Sequence, residues 1–130
     1  MTQYPEFGES DRPGILLPSS RRDNSRGRTM PMTLGQLQDR IRELYGSKDA
    51  ARGVEGTFMW FMEEVGELAA ALRNGTREET TLELADVLAW LVTLANCRGI
   101  DLGEAIELKY GSGCPGCLRT PCLCGPANKP

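Results

Sequence analysis

Residues 63–72, EEVGELAAAL, and residues 83–92, ELADVLAWLV, decide how this chain folds. In and just before the first, Phe61, Val65, Leu68 and Leu72 recur at helical spacing and define one apolar stripe. Leu84, Leu88, Leu91 and Ala95 repeat the pattern in and just after the second. Asn74 and Gly75 stop the first helix, and Thr76 with Glu79 makes a capping box for the next. Working outward, Thr33 and Gln36 open an earlier helix that carries Leu34, Leu37, Ile41 and Leu44 and ends near Tyr45 and Gly46. A polar connection with Lys48, Asp49, Arg52 and Gly53 leads to the second helix at 55–73. The third spans 77–98 and stops at Gly99, and Asp101 with Glu104 caps a fourth that reaches Lys109. No segment alternates with a period of two. The expected fold class is all-α, a bundle of about four helices with short connections.

Acids interrupt both central stripes. Glu64 and Glu67 border the first and Glu83 and Asp86 the second, near Val87 and Trp90. Residues three apart on a helix have Cβ atoms about 5–6 Å apart, so each pair is close enough to share a cation. Packing the two helices together crowds four carboxylates beside an apolar core, where their repulsion calls for neutralisation. All-oxygen donors suit Mg²⁺ or Mn²⁺ rather than zinc. The competing reading is that these acids are merely the solvated edges of amphipathic helices. Periodicity alone leaves both open.

Composition narrows the chemistry. The 130 residues are 40% hydrophobic and 25% charged, as in one ordinary soluble domain. There is no histidine, which excludes histidine-based triads, histidine general bases and the mixed histidine–carboxylate sites of di-iron bundles. The net charge is −3; residues 1–30 carry five Arg against four acids, so the rest of the chain stands at −4. That is no footprint for a nucleic-acid polymer. An acidic body that handles a polyanion needs divalent cations between itself and the phosphates. No charged start leads into an apolar stretch and no run suggests a membrane span, so a cytoplasmic protein with reduced thiols is expected. Residues 1–32, with Pro5, Pro13, Pro18 and Pro31 among Gly, Ser and Arg, read as a disordered tail.

The two quoted stretches closely resemble the signature of the MazG and dCTP-pyrophosphatase families of all-α nucleotide pyrophosphohydrolases, EExxE followed by ExxD. Here the signature falls on Glu63, Glu64 and Glu67, then Glu83 and Asp86, with fifteen residues between Glu67 and Glu83. The resemblance covers about residues 33–110. It implies hydrolysis of a nucleoside triphosphate between the α and β phosphates, to a monophosphate and pyrophosphate. It makes Glu64, Glu67, Glu83 and Asp86 the Mg²⁺ ligands, the ions bridging phosphate oxygens and activating water. Glu63 matches the first Glu of the signature; it either orients the nucleophilic water or faces solvent. Lys109 matches a phosphate-contacting position, or else complements the end of its helix. Trp60 and Trp90 lie on the acidic sides of their helices, placed either to stack on a base or to pack in the core. Where the family pattern continues with an Asn and basic residues, this chain reads GSGCPGC at 111–117.

Those cysteines form a separate segment, 111–130. Cys114, Cys117, Cys122 and Cys124 make C-x2-C-x4-C-x-C with Pro115, Gly116, Pro121 and Gly125 between and after them, the pattern of a small structural Zn²⁺ knuckle. Redox-active thiols or disulfides are the alternative. Cys97 reads as a small buried apolar residue. Met59, Phe61 and Met62 exceed what a hundred ordered residues bury, and relatives of this kind are at least dimers, so a homodimer or homotetramer is expected. The non-enzymatic alternative is a helical dimerisation module with a zinc-bound docking tail.

Overall fold

Residues 31–126 are described by a computed structural model; the stretch read as a tail lies, up to residue 30, outside the described residues. Among those described there are three helices and no strand: α1 Leu34–Asn74, α2 Arg77–Arg98 and α3 Leu102–Tyr110. The expected helix starts are all present. Thr33 Oγ1 accepts from the Gln36 N–H at 3.2 Å while the Gln36 side chain accepts from the Thr33 N–H at 2.9 Å. Thr76 and Glu79 repeat the arrangement, and Asp101 caps α3 through the Glu104 N–H at 2.9 Å. Gly99 ends α2 in the left-handed conformation, φ 64°, with the N–H of Ile100 reaching back to the Ala95 carbonyl in a Schellman closure.

The first connection departs from expectation. Instead of ending near Tyr45 and Gly46, the first helix continues through the supposed loop and meets the second at Gly53, the one non-helical residue inside α1. The segment 47–52 is rich in helix formers, and its Asp49 is buried against Arg52 at 2.9 Å, so this pair serves packing rather than solvent. Gly53 adopts φ 78°, ψ 176°, a region open essentially to glycine alone. Its carbonyl accepts a hydrogen bond from the fully buried Thr57 hydroxyl at 2.7 Å, which satisfies a polar group at the break. Two helical segments, 34–52 and 54–74, therefore meet at a sharp break with no loop between them.

α2 lies along α1, and a pair of amides fastens the far end. The buried Gln38 side chain donates to Asn96 Oδ1 and to the Ile100 carbonyl, and accepts from the Leu102 N–H, an otherwise unpaired donor in the first turn of α3. One residue thus ties all three helices together.

The inner face of α2 is only in part the expected one: Ala95 is buried, but the three leucines of its stripe are not. Leu84, Leu88 and Leu91 are exposed, whereas Glu83, Val87, Trp90 and Leu94, at successive turns, are half-buried towards α1. On α1 the matching face is Thr57, Phe61, Glu64 and Leu68, and Leu72 lies outside it. α2 is apolar nearly all round, so periodicity could not choose its inner side. It is long and apolar enough to cross a membrane by length and composition, but it would carry Glu83 and Asp86 into hydrocarbon at high cost. Among the described residues the buried apolar side chains are Ile41, Val92 and Ala95, with Val92 fully buried. Glu64 and Glu83 thus lie on the inner faces of the helix pair, while Leu84, Leu88 and Leu91 lie outside it.

Candidate active site

Because α1 and α2 both turn an acidic row inward, carboxylates from the two helices meet. Single oxygens of Glu64, Glu83 and Asp86 lie within 4.8 Å of one another. Burial raises the Glu64 carboxyl above its ordinary value, reinforced by the negative charges of Glu67, Asp86 and Glu83 and offset in part by a hydrogen bond from Trp90. Asp86 is raised by burial first and by Glu67 second. Although Asp86 is exposed over the whole residue, its carboxyl end lies among the other acids, and it is this end that loses water. Glu67 stands one turn beyond Glu64, half-buried, and acts on both groups through its field.

The indoles hold this arrangement. Trp90 donates from Nε1 to Glu64 Oε1 at 3.2 Å, tying the two helices together at the level of the acids. Trp60 stacks on Trp90 with centroids 6.0 Å apart and planes 9° from parallel, and the Arg52 guanidinium lies 4.9 Å from the centre of a Trp90 ring. Beside Trp90 opens a hollow of about 310 Å³ lined by Tyr45, Lys48, Asp49, Arg52 and Thr93 among others. Sequence reasoning missed this wall because it placed residues 46–53 in a loop. The signal was present: carrying the Ile41 and Tyr45 spacing onward puts Asp49 and Arg52 on the same stripe.

The cluster fits a hard divalent cation. Its donors are all oxygen, and like charges confined at this separation raise one another's pKa unless a cation sits among them. With three carboxylate oxygens already within 4.8 Å of one another, side-chain rotation can bring them around one such ion.

Other residues singled out from the sequence fall elsewhere. Glu63 is exposed on α1, next to Glu64. Lys109 is exposed in the last turn of α3, its ammonium 5.4 Å from the Tyr110 ring centre. The four C-terminal cysteines do come together in the segment after α3, one sulfur from each within 4.8 Å of the others. Cys97 is half-buried on α2.

Comparison with known proteins bears on the helical part. The MazG nucleotide pyrophosphohydrolase domain matches residues 52–111, a span that contains Glu64, Glu67, Glu83, Asp86 and both indoles. The chain is 38% identical over 80 residues to a dATP/dGTP diphosphohydrolase of Cyanophage S-2L, covering 62% of this chain and 72% of the phage protein. It is also 37% identical over 82 residues to the histidine biosynthesis bifunctional protein HisIE of Aquifex aeolicus, covering 57% of this chain and 40% of that protein. With the signature acids brought together by two helices, the chain belongs to the MazG nucleotide pyrophosphohydrolase family and is a nucleotide pyrophosphatase.

Proposed function

We propose that this protein is a Mg²⁺-dependent nucleoside triphosphate pyrophosphohydrolase that releases a nucleoside monophosphate and pyrophosphate. The observation that carries the reading is the meeting of Glu64, Glu83 and Asp86 from two helices, with Glu67 one turn away. These four residues would hold the cation, Mn²⁺ serving in place of Mg²⁺. Bound there, a divalent cation neutralises phosphate charge and lowers the pKa of water. The chain's own contribution is placement. Trp90 fixes the Glu64 carboxylate by its N–H, and the two helices hold the acids at a set separation before any ligand arrives.

The hollow beside Trp90 is the proposed seat for the nucleoside end, with Lys48 and Arg52 bringing cations to its wall. The indoles would then act as wall and support for the acids, since they already stack on each other. Lys109, at the end of α3, is assigned to the phosphate chain by family resemblance. Glu63 stays outside the ligand set, and its Gln substitution decides whether it handles the attacking water. The name of the phage relative places dATP and dGTP first among substrates to try.

The outward apolar residues, Phe58, Met59 and Met62 on α1 and Leu84, Leu88 and Leu91 on α2, support a homo-oligomer that buries them. Light scattering that finds a monomer at micromolar concentration would count against this. The enzymatic reading is tested by incubating the protein with a panel of deoxy- and ribonucleoside triphosphates and Mg²⁺ and measuring pyrophosphate. Product is expected with at least one of them and is lost on adding chelator. Undiminished product from Glu64→Ala would overturn the assignment.

A further inference from the structure

The segment after α3 holds a second constellation, with donors of the opposite chemical character. We propose that Cys114, Cys117, Cys122 and Cys124 bind one zinc ion as a tetrathiolate knuckle, separate from the carboxylate cluster and of structural purpose. The site lies beyond the MazG-matched span, which ends at residue 111.

Geometry is the first support. Sulfur atoms of Cys114 and Cys124 are 3.8 Å apart, and those of Cys117 and Cys122 are 3.9 Å apart. A tetrahedral ion with Zn–S bonds of about 2.3 Å has ligand–ligand edges of about 3.8 Å. The two measured pairs share no residue, so they correspond to two opposite edges of that tetrahedron. All four sulfurs lie within 4.8 Å of one another.

The backbone supports the same arrangement. The Cys114 carbonyl accepts from the N–H groups of Cys117, at 3.2 Å, and Leu118, at 2.7 Å, while the Cys114 N–H donates to the Arg119 carbonyl. These bonds fold the first Cys pair into a tight turn. Amides also point at sulfur: the Leu123 N–H donates to Cys117 Sγ at 3.4 Å and the Cys124 N–H to Cys122 Sγ at 3.3 Å. Such donors stabilise negative charge on a thiolate, the form that ligates metal. Gly116 gives the sulfurs room, because a Cβ there would stand 3.0 Å from Cys124 Sγ and would press that sulfur aside.

Energetics calls for a cross-link. Residues 111–126 contain no helix or strand, and the large apolar side chains among them, Leu118 and Leu123, are exposed. With no apolar core of its own, the segment cannot offset its ordering entropy by burial. A bound metal supplies that offset directly. Four thiolates select a soft or borderline ion in tetrahedral geometry, as the all-oxygen cluster selects a hard one, so the two sites sort zinc and magnesium by donor type.

The experiment is elemental analysis of the full chain, purified under reducing conditions without chelator, with cobalt(II) substitution as a second measurement. About one zinc per chain is expected, retained in Cys97→Ser and in Glu64→Ala and lost in Cys117→Ser and Cys122→Ser. Cobalt should give the intense visible absorption of a tetrahedral tetrathiolate, which reports on the wild-type chain even where the serine variants fold poorly. Four freely titrating thiols with no metal, a chain containing two disulfides after purification under reducing conditions, or iron in place of zinc would each overturn the proposal. Retention of zinc by Glu64→Ala separates this outcome from the fate of the catalytic reading.

Discussion

At the acid cluster, ligand groups far apart in sequence are delivered by two long helices, whereas at the C-terminus four thiols come from the short stretch 114–124 with no regular structure around them. Glu64 and Glu83 are placed by helix periodicity, a capped turn at Thr76, and packing of α1 on α2, none of which needs a metal. The cysteines sit among prolines, glycines and exposed leucines, with short turn hydrogen bonds and no apolar core around them, so the proposed metal would supply much of their order. Carboxylates held by a prior fold suit an ion that must exchange and meet substrate. Thiolates that fold around their ion suit one that stays.

The comparison breaks first at the acids themselves. Glu64→Ala and Asp86→Ala should each lower kcat/KM by on the order of 10²- to 10³-fold, the effect of removing one preorganised electrostatic group, while far-UV circular dichroism keeps its helical signal. Loss of helix in parallel with activity would mean that the acids are structural. Glu63→Gln, one residue away and exposed, should change the rate by less than about threefold, and a larger fall would assign it to the attacking water.

A second substitution tests whether the helix scaffold is what places the acids. Gly53→Ala forces a side chain into a conformation reserved for glycine and should cost about 1–3 kcal/mol. For a domain of this size each kcal/mol lowers Tm by roughly 4–8 °C. Zinc content should be untouched, since the knuckle draws nothing from that break. A melting temperature equal to the parent's would show that residue 53 tolerates ordinary backbone and that the break is not rigid.

How much of this was readable in advance follows the same division. The capping boxes at Thr33 and Thr76 and the stops at Gly75 and Gly99 were visible because caps are local chemistry, settled by residues three or four apart. The pairing of the acids was visible as spacing. The inner face of α2 was not, because leucines surround it and only contact with α1 decides between Val87 and Leu88. The helical nature of 47–52 was hidden for a related reason: Asp49 and Arg52 look like loop residues until they neutralise each other in a half-buried pair. The hollow beside Trp90 was lost with them.

Trp90 offers a finer probe of the acid cluster. Trp90→Phe keeps an aromatic ring on Trp60 but removes the N–H that reaches Glu64. That bond favours the charged carboxylate, so its loss should push Glu64 further up and move the acidic limb of the pH–rate profile to higher pH. A net hydrogen bond of about 1 kcal/mol corresponds to roughly a fivefold fall in kcat/KM near neutrality. An unchanged profile would reduce the indole to packing.

The smallest expected effect separates the cluster from an ordinary helix end by the sign of its pH dependence. Glu64 and Asp86 have carboxyls raised above their ordinary values of 4.5 and 3.8, so the folded metal-free chain holds those protons more tightly than the unfolded chain does. Their contribution is then unfavourable once both are ionised, and it is relieved as pH falls into and below the carboxylate range. Glu79 runs the other way. It is lowered by the Thr76 backbone N–H and hydroxyl, so its stabilisation is present above its ordinary value of 4.5 and is lost as pH falls through its lower folded value. Tm measured from pH 7 downward in chelator should therefore show less acid-linked stabilisation in Asp86→Asn than in the parent, and less acid-linked loss in Glu79→Gln. Saturating Mg²⁺ should reverse the sign of the difference between parent and Asp86→Asn near neutral pH, because the cation favours the ionised acids, shifts their titration down and stabilises the parent more than the variant that lacks one carboxylate. It should leave the Glu79 difference alone, since that carboxylate serves a helix cap and binds no ion.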